Sequence, residues 1–73
     1  MNPFATQVYE VLEGYSVSPW SLLKTACGWT NANPFELEPT TFAPIIERLG
    51  SQIARMTDED NARELVARLR GLI

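Results

Sequence analysis

The stretch TFAPIIERLGSQIARMTDEDNARELVARLRGLI, Thr41 to Ile73, decides the fold. Phe42, Ile45, Ile46, Leu49, Ile53 and Met56 recur at the spacing of one helix face. Ala62, Leu65, Val66, Leu69, Leu72 and Ile73 then form a second stripe of the same period. Between them Thr57 is a capping residue, and Asp58, Glu59 and Asp60 complement the positive end of a helix dipole. Glu59 with Arg63, and Glu64 with Arg68, are i, i+4 pairs in the favourable order. Two long stripes joined by so short a link predict an antiparallel helical hairpin over 41–56 and 58–71. Pro44 then falls in the first turn, where a missing N–H is tolerated.

Working outward, three segments share a short polar residue, a proline and an aromatic: Asn2-Pro3-Phe4, Ser18-Pro19-Trp20 and Asn33-Pro34-Phe35. Asn and Ser cap helix starts, and proline suits the first helical position, so each reads as a helix start. Helix 1 is predicted over 3–13, with Phe4, Val8, Val11, Leu12 and Tyr15 on one face and Gly14 as a left-handed terminator. Helix 2 is predicted over 19–27, stopped by Gly28. Residues 29–40 are a long connection, with a single turn from Asn33-Pro34 that Pro39 ends. No alternating strand pattern with hairpin turn residues competes. The expectation is one all-α domain over 1–73, a compact bundle of about four short helices with helices 1 and 2 packed across the hairpin.

A chain of 73 residues buries roughly 60% of its unfolded surface, so the core is thin and leaves little for a deep cleft. There is no histidine, which removes histidine acid–base chemistry and the Ser-His and Cys-His nucleophile pairs. One cysteine builds neither a zinc nor an iron–sulfur site, and no phosphate loop, dinucleotide fingerprint or calcium loop is present. Paired acids exist at Glu36/Glu38 and Asp58–Asp60, but the second run is explained as a helix start. The expectation is a non-enzyme without cofactor or metal. Cys27 lies on the apolar arc of helix 2 and reads as a small buried hydrophobe rather than a reactive thiol. No apolar run approaches the roughly 20 residues of a membrane span, no secretory leader is evident, and a lone cysteine suits a reducing compartment; a cytoplasmic protein is expected.

Charge is unevenly placed. Residues 1–47 carry five acids against Lys24, and residues 48–73 carry five arginines against four acids, giving net −4 and +1. That balance disfavours binding to phosphate backbones and favours a protein partner with a basic surface. Phe4, Tyr15 and Phe42 point to the core by phase. Tyr9, Trp20, Trp29 and Phe35 are candidate interface anchors, with Glu36 and Glu38 flanking Leu37 in the same aromatic-acidic connection. Folding of Trp29, Phe35 and Leu37 back onto the core is the alternative for that segment. Arg48/Arg55 and Arg63/Arg70 are each seven apart, which raises a helix-turn-helix DNA reader as a second class. Against it, helix 4 would present three acids where bases and phosphates approach. A homodimer built on Trp20 or Trp29 is the third class.

The length, the four-helix pattern, the segment Ser18-Pro19-Trp20-Ser21-Leu22-Leu23 and the closing run Ala62 to Ile73 resemble small phage-encoded proteins that bind host bacterial RNA polymerase. The resemblance covers the whole chain. It implies a monomer in the host bacterial cytoplasm that binds a core polymerase subunit, inhibits initiation through interference with the sigma factor, and suppresses termination near the RNA exit channel. It assigns no individual residues.

Overall fold

The computed structural model describes all of residues 1–73. Four helices follow one another: α1 Pro3–Glu13, α2 Pro19–Trp29, α3 Pro39–Met56 and α4 Glu59–Arg70. There is no strand. No helix is long and apolar enough to cross a membrane. The molecule measures 29 × 22 × 19 Å. The α3–α4 hairpin forms the largest interface; α2 packs on α3, and α1 lies against α2 and α4.

The helix starts follow the capping chemistry at two places. Asn2 Oδ1 accepts from the Ala5 N–H at 2.8 Å, and Asp58 Oδ1 accepts from the Asn61 N–H at 2.7 Å. Asp58, not Thr57, therefore caps α4. The Thr57 hydroxyl instead donates to the Ile53 carbonyl at the end of α3. Ser18 stands at the start of α2 but makes no side-chain cap; its own N–H donates to Ser16 Oγ.

Of four sequence expectations, three shift and the second, the single turn at Asn33-Pro34, holds. First, α3 starts at Pro39 and not beyond Thr40: the proline is the first helical residue rather than a terminator. Pro44 consequently sits inside α3, where it gives the Thr40 carbonyl no helical N–H donor. Second, Asn33-Pro34-Phe35 makes one turn only, with the Glu36 N–H donating to the Asn33 carbonyl and the Phe35 N–H to Asn33 Oδ1. It cannot propagate, because Glu38 precedes a proline and is extended, at φ −127° and ψ 146°. Third, Gly28 lies within α2, which runs on to Trp29. The left-handed residue is Asn31 at φ 57°, and the Ala32 N–H closes the helix end on the Cys27 carbonyl at 3.0 Å. Asn tolerates that conformation because its short polar side chain bonds locally. Fourth, Gly14 ends α1 in the right-handed region, at φ −76°.

The core contains Val8, Leu12, Cys27, Phe42, Ile45, Ile46, Leu49, Ile53, Leu65 and Leu69 from the predicted faces, with Leu22, Leu23 and Ala26 beside Cys27 on α2. Ala5 and Leu37 join it from outside them. Phe4 and Tyr15 are half-buried on its edge, with Phe4 edge-on to Phe42 at 5.5 Å. Met56 and Ile73 end their stripes more than half exposed. Along the hairpin Arg63 pairs with Asp60 at 2.5 Å rather than with Glu59, Arg68 lies 3.9 Å from Glu64, and Arg70 crosses to Glu47 on α3.

Candidate functional site

The connection from Thr30 to Glu38 is short of regular structure but is held at three points. The Asn2 N–H donates to the Phe35 carbonyl at 2.8 Å, and Asn2 Nδ2 donates to the Leu37 carbonyl at 2.8 Å. The Leu37 side chain is fully buried, which stabilises the segment by about 1.5–3 kcal/mol. The turn at Asn33 fixes the residues between. With Leu37 inward, its neighbours Glu36 and Glu38 are turned outward and exposed. The fold-back alternative thus holds for Leu37 and not for Trp29 or Phe35, which are 65% and 51% exposed.

Five of the six candidate residues divide between two sides. Trp20 and Phe35 are in contact, their rings tilted by 48° with centroids 4.9 Å apart. Trp29 stands under the guanidinium of Arg48, which lies 4.6 Å from the ring centroid. Trp20 and Trp29 are nine residues apart on one helix, which rotates them to about opposite sides of its axis. Glu36 and Glu38 go with the Trp29 side: they line an open groove with Asn31, Asn33, Thr41 and Pro44. Thr41, Pro44 and Arg48 follow i, i+3, i+7 spacing, so one stripe of α3 runs from the groove to the Trp29 ring. Tyr9 is half-buried on α1. A single flat surface therefore does not contain all six.

The electrostatics of the groove are lopsided. All three ion pairs use other acids, namely Asp60, Glu64 and Glu47. Glu36 and Glu38 face solvent with no cation beside them, and Arg48 is engaged by an aromatic ring and no carboxylate. Asn31 and Thr41 carry no mark in the sequence, where Pro44 reads as a first-turn proline and Arg48 as part of a DNA-reading face. Thr41, Pro44 and Arg48 share one stripe of α3 off its apolar face, already contained in the helix expected over 41–56.

The remaining reactive groups lie elsewhere. Burial pushes the Cys27 thiol above its ordinary pKa, which suppresses the nucleophilic thiolate. Burial, and then the hydrogen bond from its hydroxyl to Glu64 at 2.7 Å, raise Tyr15. No three Cys, Asp or Glu side chains gather in a way that could hold a metal ion. The arginines of α4 named for a DNA-reading surface are partnered within the chain, Arg63 with Asp60 and Arg70 with Glu47. No protein-family model, curated protein or solved structure matches this chain.

Proposed function

We propose that this chain is a non-enzymatic regulator that binds a large host protein machine, the core of a bacterial RNA polymerase, as a monomer in the host cytoplasm. By this reading it inhibits transcription initiation and allows read-through at terminators. The observation that carries it is the presence together of exposed aromatics, Trp29 and Phe35, and of acids outside every ion pair, Glu36 and Glu38, the acids and Phe35 on a connection braced from beneath. Exposed aromatics of this size supply the anchors of protein interfaces. Unpaired carboxylates steer association with a basic surface, and polymerases present such surfaces along their nucleic-acid channels. The resemblance to small phage regulators names the partner; the charge and the aromatics support only its chemistry. The DNA-binding alternative is less well supported, because α4 starts with acids and two of its arginines are already paired.

The test is affinity capture from bacterial lysate, followed by binding to purified core polymerase and by promoter-initiation and terminator read-through assays. Polymerase subunits should be captured, initiation should fall and read-through should rise. If purified core enzyme forms no complex even at low ionic strength, the polymerase reading is wrong.

A further inference from the structure

We infer that the groove between α2 and α3 seats an acidic segment of the protein partner, with an apolar side chain in its cavity and carboxylates on the cations beside it. This rests on the reading of the chain as a protein binder and adds a second contact face, with the chemistry that face fits.

A cavity of about 310 Å³ opens between the start of α2 and the end of α3. Ser21, Leu22 and Thr25 line it from α2, and Gln52, Arg55 and Met56 from α3. Leu22, Met56 and the aliphatic stems of Gln52 and Arg55 offer it walls of carbon. Met56 is more than half exposed, and its flexible thioether repacks readily around an apolar guest. Gln52 leaves its Oε1 buried without a hydrogen-bond partner. A backbone N–H of an incoming chain can fill that deficit once the amide turns towards it.

The charge along this groove is of one sign. No acid lines the cavity. Lys24, Arg48 and Arg55 are the three cations of the chain that no carboxylate pairs, and all three stand on α2 or α3. α2 contains no acid, and Glu47, the one acid of α3, is bound to Arg70 on α4. Arg48, Gln52 and Arg55 follow i, i+4, i+7 spacing, and Thr25 and Trp29 are four apart on α2. The groove therefore continues one turn beyond the cavity, to the contact between Arg48 and the exposed Trp29 ring. An arginine takes a carboxylate by two parallel bonds, so acids on either side of a buried apolar residue are matched. Three cations on a chain of net −3 neutralise few phosphates, which makes a nucleic acid the poorer occupant. With Glu36 and Glu38 on the connection, the chain shows its partner two charges of opposite sign, an arrangement that fixes register.

The probe is the peptide acetyl-Gly-Glu-Leu-Asp-Gly-amide, titrated into the full chain and followed by backbone and side-chain amide shifts. A second peptide has glutamine and asparagine for its acids, a third has glycine for its leucine, and a short oligouridylate stands for nucleic acid. The acidic peptide should move Ser21, Thr25, Arg55 and both amides of Gln52, and the two control peptides should not. The exposed substitution Arg55→Gln should weaken its binding about fivefold. Thr25→Trp, which sets an indole at the cavity mouth, should abolish its shifts; should that variant fail to fold, Arg55→Gln decides. Equal shifts with either control peptide, no shifts, shifts confined to another face, tighter binding of the oligouridylate at these residues, or unchanged binding by Arg55→Gln would each overturn the inference. Purified core polymerase separates the two readings. A wild-type complex with no peptide binding defeats the acidic-segment groove alone, and peptide binding with no polymerase complex defeats the polymerase reading alone.

Discussion

Gly50 on α3 lies against Val66 on α4, so close that a Cβ at position 50 would stand 2.7 Å from Val66 Cγ2. The hairpin that organises the domain is packed to that spacing, and Gly50 is itself buried.

Replacing Gly50 by alanine sets two effects against each other. Alanine favours a helix over glycine by about 1 kcal/mol. Overpacking a close helix contact costs about 1–3 kcal/mol. The second is expected to win, so Gly50→Ala should lower the stability in urea, and adding Val66→Ala should restore most of the loss. If Gly50→Ala alone raises the denaturation midpoint, the two helices are not held at this distance.

Asn2 joins the start of α1 to the connection 35 residues away, by capping the helix and donating to the Leu37 carbonyl. Asn2→Ala should destabilise the domain by about 1–2 kcal/mol. Asn2→Ser retains a capping oxygen but cannot reach Leu37, and should lose about half as much. Thermal melts of the three proteins give the order; identical melting of the serine and asparagine forms would show that the long-range bond contributes nothing.

Cys27 is fully buried and its pKa is raised by burial, so little thiolate forms in the native state. A disulfide reagent should label it only through unfolding. The labelling rate should then climb with urea in step with the unfolded fraction. Rapid labelling in buffer alone would mean that the end of α2 opens independently of the rest.

Tyr15 has a pKa raised above 10.0, first by burial and then by its bond to Glu64. Its contribution is therefore fully present below the pKa of the unfolded tyrosine and is lost as pH rises through the folded value. Wild-type stability should fall above pH ~10, and Tyr15→Phe should fall less steeply there. At neutral pH the variant should lose no more than about 1 kcal/mol, because Glu64 is more than half exposed. Parallel pH–stability curves for the two proteins would remove Tyr15 from the alkaline transition.

The helices were legible because their cores repeat: Ile45, Leu49 and Ile53 on α3, and Leu65 and Leu69 on α4, leave no other period to read. The boundaries were less so, for identifiable reasons. Proline punctuates both starts and stops, and nothing local tells Pro39 from a terminator; the burial of Leu37 just before it decides. Gly28 looked like an end, yet the turn is made by Asn31, whose left-handed conformation depends on the bond from Ala32 back to Cys27. Leu37 itself gave no periodic signal, because one residue has no period. The candidate contact residues were recognisable by type, as large aromatics and acids off the apolar stripes. Their division is not legible from a helix ending at residue 27, since the angle between Trp20 and Trp29 exists only if one continuous helix carries both.

That angle makes the two indoles independent witnesses. A partner that comes to rest on one side of α2 shields one tryptophan from a dissolved quencher and leaves the other wet. Phenylalanine substitution of either one isolates the emission of its neighbour. The domain thus carries its own compass: the indole that darkens less under acrylamide when the complex forms points towards the bound surface.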